Sequence, residues 1–178
     1  MIRSFRGKTP VIAASAFVSE AAYVVGDVII GENASIFPGA VLRADFGRIR
    51  LGGGCIVEDN CVIHAGSGLV PGGSGSGDIT LGRNVQVGHG AMINCKSIGD
   101  DALIGMNATL LHEAVIGDGA VIGAACLVTQ GMQVPARTLV LGVPGRIKGP
   151  VSEEQSWWTT GGADYYGPLA KDYKAEGL

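Results

Sequence analysis

Three histidines, His64, His89 and His112, are the first candidates for chemistry in this sequence. An imidazole can coordinate a divalent metal or accept a proton near neutral pH, so a metal centre or general-base catalysis would both use these residues. A lone histidine on a β surface is more often a plain surface residue than a ligand. Their chemistry therefore depends on the neighbours that the secondary structure brings to each of them.

The elements that position the histidines follow a period of six residues. Branched aliphatic residues recur at this spacing in five triplets: Ile30, Ile36 and Leu42; Leu51, Val57 and Ile63; Leu81, Val87 and Ile93; Ile98, Ile104 and Leu110; Ile116, Ile122 and Val128. This period does not fit one face of an α-helix, but it fits a short strand and a sharp corner repeated three times per turn of a prism. The sequence therefore predicts an all-β fold, a parallel β-helix of hexapeptide repeats with about eighteen residues per coil and aliphatic side chains pointing inward.

The repeat divides the chain into two parts. We expect residues 1–150 to form the hexapeptide-repeat β-helix, interrupted at residues 46–50 and at the Gly/Ser-rich residues 66–78. The second interruption predicts a protruding loop, because no Gly-Lys-Ser/Thr follows its glycines as in a phosphate-binding loop. Residues 151–178 should form a helical tail that packs on the β-helix, since residues 152–155 are typical of a capping box at a helix start.

Composition excludes several classes of function. The net charge of −3 with scattered Lys and Arg gives no basic stripe, so nucleic acid is an unexpected partner. No apolar run reaches the ~18 residues of a membrane helix, and no secretion signal is evident, so we expect a cytoplasmic protein without a membrane partner. The four cysteines are then expected to be reduced thiols, with Cys55, Cys61 and Cys126 in the core.

Residues that follow equivalent inward positions stack on neighbouring coils. His64 and Asn94 each come one place after an inward isoleucine, so their side chains should lie on adjacent rungs, about 4.8 Å apart. His89 comes two places after Val87 and lies on the preceding face, too far around the prism to join them within one chain. A neighbouring copy of the chain could supply it.

Charged side chains accompany these positions. Arg43 falls directly below His64, with Asp45 two residues on, and Glu58 and Asp59 lie on the face before His64. Such flanking by charges strengthens the case for a functional site, although a plain surface histidine stays the commoner interpretation.

A separate possibility is nucleophilic catalysis. His112 stacks one coil above Cys95, the arrangement that a Cys–His nucleophile pair would need, with Cys95 placed along the outer wall. Chance stacking in the repeat would produce the same juxtaposition.

Four segments resemble the serial motifs of the γ-class carbonic anhydrase family: Leu42-Arg43-Ala44-Asp45-Phe46-Gly47, Val57-Glu58-Asp59-Asn60-Cys61-Val62-Ile63-His64, Val87-Gly88-His89-Gly90 and Ile104-Gly105-Met106-Asn107-Ala108. The resemblance covers about residues 10–150 and is greatest to the branch found in phenylacetate and carnitine operons. It implies a left-handed β-helix, a homotrimer, and a metal, usually zinc, held between subunits.

The resemblance also implies roles for single residues. His64 and His89 match the first and second metal ligands, and Asn94 stands where the third histidine is expected. An amide is a poorer zinc ligand than imidazole, thiolate or carboxylate. Three interpretations stay open: zinc or another divalent metal such as iron is held through His64, His89 and Asn94; Cys95 is recruited; or the metal is lost.

The remaining roles implied by the resemblance concern charged and aromatic residues. Arg43 and Asp45 would form a salt bridge across the subunit interface. Glu58 would orient a metal-activated water or accept its proton. Tyr166 lies near a tyrosine of the family's C-terminal tail.

Three functions are compatible with these observations. The first is a metal-dependent lyase or hydrolase that adds activated water to CO₂, giving bicarbonate, or to an acyl-CoA thioester. The second is a metal-independent hexapeptide acyltransferase with His112 or His89 as general base, whose activity survives chelation. The third is a non-catalytic trimeric assembly module.

Overall fold

The structure is a computed structural model that describes residues 1–66 and 77–178, except for the side chains of Trp158, Thr160 and residues 162–164. The predicted loop at residues 66–78 therefore lies mostly outside the described residues. Within the two described ranges, neither helix has the length and hydrophobicity needed to cross a membrane.

The described residues form twenty strands and two helices. In chain order the strands are β1 (Ile2–Arg3), β2 (Val11–Ile12), β3 (Phe17–Val18), β4 (Tyr23–Ile30), β5 (Ser35–Ile36), β6 (Val41–Leu51), β7 (Ile56–Val57), β8 (Val62–His64), β9 (Ile79–Leu81), β10 (Gln86–Val87), β11 (Met92–Ile93), β12 (Ser97–Ile98), β13 (Leu103–Ile104), β14 (Thr109–Leu110), β15 (Val115–Ile116), β16 (Val121–Ile122), β17 (Leu127–Val128), β18 (Gln133–Val134), β19 (Thr138–Leu141) and β20 (Arg146–Pro150). The helices are α1 (Glu153–Thr160) and α2 (Gly162–Glu176).

The strands wind into a left-handed parallel β-helix of about seven coils, which confirms the β-helix predicted from the repeat and the handedness implied by the resemblance. The first face stacks the start of β4 and of β6 with β8, β11, β14 and β17. The second face stacks the ends of β4 and β6 with β9, β12, β15 and β18. The third face runs β3, β5, β7, β10, β13, β16 and β19, and antiparallel β20 covers the last edge.

The core is a set of aliphatic columns inside the prism. On the first face, for example, Leu42, Ile63 and Ile93 are register partners on successive coils, and each is fully buried. Burying one such side chain stabilises the fold by about 2 kcal/mol. At several corners the backbone turns through the left-handed region at asparagine, as at Asn60 (φ 60°) and Asn107 (φ 57°), because asparagine tolerates this conformation better than most residues.

The interruption at residues 46–50 is a bulge inside a continuous strand. β6 runs through it, and its pairing with β4 shifts between Gly26, which pairs with Ala44, and Val28, which pairs with Ile49. A bulge of this kind adds residues to one strand without breaking the sheet.

The C-terminal helices lie against the third face. α2 contacts β3, β5 and β7, where Tyr166 and Tyr173 pack edge-to-face on Phe37 with ring centroids 5.6 and 5.7 Å apart. α1 begins with the predicted capping box, in which Ser152 and Gln155 exchange hydrogen bonds. This packing places the side of α2 that carries Tyr166 over the charged residues that follow β7.

Candidate functional site

The structure brings the predicted site residues together in two separate groups. We call Arg43, Asp45, His64 and Asn94 the His64 cluster, and Glu58, Asp59, His89 and Tyr166 the His89 cluster. The first follows strands of the first face and the second follows strands of the third face.

Strand register builds the His64 cluster. Arg43 and His64 are direct partners in the pairing of β6 with β8. Nη1 of Arg43 donates to Oδ2 of Asp45 at 2.5 Å, and Nη2 lies 3.1 Å from Nδ1 of His64. Since a guanidinium has only donors, Nδ1 accepts, and the proton on Nε2 is donated to Oδ1 of Asp45 at 3.0 Å. Both ring nitrogens of His64 are therefore engaged within one chain.

The electrostatics of Asp45 keep this network charged. Burial alone raises the pKa of Asp45, but hydrogen bonds from Arg43 and His64 outweigh that effect and hold the pKa below its usual value. The carboxylate is consequently ionised at neutral pH. Arg43 and Asp45 pair here within a single chain, whereas the resemblance implies a salt bridge between subunits.

Asn94 lies on the coil next to His64. Its Nδ2 donates to the main-chain carbonyl of His64 at 3.2 Å. The predicted ligands do not fit a zinc ion within one chain, because His64 has no free ring nitrogen and His89 belongs to the other cluster. In the ranges 1–66 and 77–178, no group of three or more His, Cys, Asp or Glu is arranged to hold a metal ion.

The expectation that Cys95 lies along the outer wall is wrong. Cys95 is fully buried in the core, and burial raises the pKa of its thiol to about 12. The corner between Ile93 and Ile98 is one residue shorter than usual, so the small inward position falls on Cys95. His112 lies in the turn after β14 and belongs to neither cluster, so the structure gives no Cys–His pair here. Cys55, Cys61 and Cys126 are buried as predicted.

The His89 cluster is a histidine held between two carboxylates. Val57 and Val87 are register partners, so the residues that follow them meet on adjacent coils. Nε2 of His89 lies 2.9 Å from Oε2 of Glu58, and Nδ1 lies 2.9 Å from Oδ2 of Asp59. The main-chain N–H of His89 also donates to Oε2 of Glu58 at 3.0 Å.

The two carboxylates differ in their exposure to solvent. The Glu58 side chain is 11% exposed, whereas Asp59 is 41% and His89 is 48% exposed. Tyr166 is hydrogen-bonded to Glu58, and burial together with this carboxylate raises the pKa of Tyr166 above its usual value. The phenol therefore stays protonated and donates to Glu58, so Glu58 is the more buried and more firmly held of the two partners of His89.

A cavity of about 710 Å³ opens beside the His89 cluster, between the third face and α2. Its described lining is Glu58, Gln86, Gly88, His89, Leu103, Ile104, Gly105, Met106, Ala124, Tyr165, Tyr166 and Leu169. The polar groups lie at the end formed by the coils of β7 and β10, and the remainder is mostly apolar. This is the size and character of a small-molecule site.

This cavity was not predicted from the sequence. One signal was available, because Asp59, His89, Met106 and Ala124 all come two places after inward residues of the third face and therefore stack in one outer column. The other wall, formed by Tyr165, Tyr166 and Leu169, depends on how α2 docks.

Comparisons with known proteins agree with this architecture. Residues 96–130 match the family described as bacterial transferase hexapeptide (six repeats). The carnitine operon protein CaiE of Escherichia coli (strain K12) is 36% identical over 155 residues, which are 87% of this chain and 75% of CaiE.

Two crystal structures resemble the whole chain. A hexapeptide transferase family protein from Anaplasma phagocytophilum is 31% identical, with a TM-score of 0.87 and coverage of 97% of both chains. A Bacillus cereus protein proposed to be an acetyltransferase is 32% identical, with a TM-score of 0.86 and coverage of 98% of this chain and 96% of its own.

Proposed function

Because the chain belongs to the hexapeptide-repeat family that includes the carnitine operon protein CaiE, we propose that it transfers acyl groups from a thioester, such as acyl-CoA, without a metal. The acceptor is a hydroxyl or amine, or water. The observation that carries this proposal is His89, held by Glu58 at the polar end of an apolar cavity. The resemblance to the Bacillus cereus protein supports it.

His89 has the geometry of a general base. Glu58 accepts from Nε2 and fixes the ring, while the more exposed Asp59 can give way to the acceptor at Nδ1. Once Asp59 is displaced and the proton on Nδ1 has passed to solvent, Nδ1 has a free lone pair and Nε2 keeps its proton. This tautomer is the one that a base needs.

The reaction then follows from the position of His89. The oxygen or nitrogen of the acceptor attacks the thioester carbonyl carbon, and Nδ1 takes the proton that this atom loses. The C–S bond breaks, and the proton on Nδ1 passes to the leaving thiolate sulfur. General-base catalysis of this kind typically contributes about 10²–10⁴-fold to the rate.

The test is thiol release from acyl-CoA in the presence of a chelator. We expect activity to survive chelation, His89→Ala to lose at least ~100-fold in kcat/KM, and His112→Ala to stay within about twofold of the unmodified protein, since His112 lies outside both clusters. Equal losses in the two variants, or no turnover with any acyl-CoA and acceptor tried, would contradict the proposal; the inert case would favour the assembly module.

A metal-dependent lyase or hydrolase acting on CO₂ or an acyl-CoA is the second candidate. The observation that favours it is the stacking of Asn94 beside His64. It requires Asp45 to leave Nε2 of His64 and a second copy of the chain, in a homotrimer, to supply His89. Neither condition is met within one chain.

Metal content decides between the two candidates. The protein, without an affinity tag, would be measured by mass spectrometry before and after dialysis against a chelator. The second candidate would replace the first if zinc or iron is retained after dialysis, is absent from His64→Ala and is needed for activity. Activity in metal-free protein would exclude the second.

A further inference from the structure

We propose that the cavity beside His89 binds the acyl chain of the thioester, and that it selects an uncharged, apolar chain of about eight carbons. This inference rests on the proposed function, because it places the reacting carbonyl next to His89. It names the substrate class, which the proposed function leaves open.

The lining chemistry excludes a negatively charged chain. None of the twelve residues that the structure shows around the cavity is Lys or Arg, so the phosphates of a nucleotide have no partner there. An acyl chain that carries a carboxylate would lie against Glu58 or be buried without a counter-charge. An apolar chain, by contrast, replaces water against Leu103, Met106 and Leu169.

The cavity floor is bare because the coils stack closely. A Cβ atom on Gly88 would lie 2.9 Å from the main-chain nitrogen of Met106, and one on Gly105 would lie 2.5 Å from that of Ala124. Both positions therefore require glycine. Gly88 and Gly105 occupy, on the next two coils, the position equivalent to Glu58, so no side chain covers the cavity floor there. The floor is a consequence of the β-helix itself.

The length of the chain follows from the coil spacing. His89, Met106 and Ala124 stack on three successive coils, as the hydrogen bonds from Asn107 N–H to the His89 carbonyl and from Ala125 N–H to the Met106 carbonyl confirm. Two coil spacings of about 4.8 Å separate His89 from Ala124 by about 10 Å. An extended chain advances about 1.2 Å per bond, so about eight bonds span this distance.

Binding of non-hydrolysable thioethers tests this inference without turnover. The probes are S-ethyl, S-butyl, S-hexyl and S-octyl pantetheine, measured by isothermal titration calorimetry. We expect the dissociation constant to fall about two- to fourfold per added methylene, as burial of a CH₂ in an apolar site predicts. A dissociation constant that does not change with chain length overturns the inference.

A matched pair of variants locates the chain. Ala124→Leu places a larger side chain at the far end of the cavity, whereas Ala136→Leu makes the same change at the equivalent position, two places after an inward valine, on a different corner. We expect Ala124→Leu to weaken S-octyl binding at least tenfold and to leave S-ethyl binding within twofold, with no effect from Ala136→Leu. Equal behaviour of the two variants would place the chain elsewhere.

The outcomes separate this inference from the proposed function. Length-dependent binding without any thiol release would contradict acyl transfer and leave the apolar chain site standing. Thiol release that depends on His89 but not on chain length would support acyl transfer and overturn the chain site.

Discussion

Removing the hydroxyl of Tyr166 should slow acyl transfer without disturbing the fold. In Tyr166→Phe the ring keeps its edge-to-face packing on Phe37, where the centroids lie 5.6 Å apart. The change removes the hydrogen bond to Glu58. Tyr173→Phe is the matched control, because its ring packs on the same Phe37 at 5.7 Å.

The expected size of the effect follows from the donors that Glu58 keeps. A hydrogen bond to a charged acceptor contributes about 1.5–3 kcal/mol. Glu58 still accepts from Nε2 and from the main-chain N–H of His89, at 2.9 and 3.0 Å. We therefore expect only part of the energy of the lost hydrogen bond to appear as a higher activation free energy. A loss of about 1.4 kcal/mol in the orientation of His89 corresponds to about a tenfold decrease in kcat.

The assay is steady-state thiol release at saturating thioester, with thermal unfolding measured in parallel. We expect Tyr166→Phe to lose about tenfold in kcat with KM within twofold, and Tyr173→Phe to keep its kcat within twofold. Since the pKa of Tyr166 is raised, the phenol stays protonated up to at least pH ~10, and the deficit should not vary with pH below that value. Full activity in Tyr166→Phe, or the same loss in Tyr173→Phe, would refute the positioning role.

Three further predictions concern the scaffold. Gly105→Ala should lower the free energy of unfolding by about 2–3 kcal/mol in urea denaturation, because the new Cβ would lie 2.5 Å from the main-chain nitrogen of Ala124. In the control variant Gly167→Ala a Cβ meets nothing within 4 Å, so the free energy of unfolding should rise by up to ~1 kcal/mol. Equal effects of the two substitutions would contradict the close stacking of the coils. Asp45→Asn should cost about 1–2 kcal/mol at neutral pH. Because the pKa of Asp45 is lowered in the folded protein, the carboxylate stabilises the fold above its ordinary pKa of about 4, and this stabilisation is lost as the pH falls through the folded pKa. A difference in unfolding free energy between Asp45→Asn and the unmodified protein that persists in strong acid would contradict this assignment. A thiol reagent should label none of the four buried cysteines in the native protein at pH 8 and all four after denaturation; labelling of the native protein would contradict their burial.

The fold could be predicted because a narrow prism leaves little freedom to its inner positions. Only one branched aliphatic residue and one small residue per strand fit inside, so columns such as Leu42, Ile63 and Ile93 repeat in the sequence with the period of the coil. Corner length is less regular. The missing residue between Ile93 and Ile98 shifted the inward position to Cys95, which the sequence analysis placed on the wall.

Parts of the candidate site also follow from register. Arg43 beside His64, and Asn94 on the next coil, are consequences of counting along the repeat. The same counting would pair Glu58 with His89, because Val57 and Val87 are register partners, but this pair was not predicted.

The position of Tyr166 could not be obtained by counting, because α2 has no repeat. Its rotation is set by four rings, Phe17, Phe37, Tyr166 and Tyr173, that pack edge-to-face across the third face. The cavity, whose second wall is α2, was missed for the same reason.

The residue that decides between the two proposed chemistries is Asp45 rather than Asn94. An amide at position 94 weakens a metal site, but the carboxylate on Nε2 of His64 removes the ligand atom altogether. The metal-dependent candidate therefore needs another partner for Asp45, and the sequence-based expectation of an Arg43–Asp45 pair between subunits would provide one. The His89 cluster needs no such exchange, because Glu58, Tyr166 and the cavity are assembled within one chain.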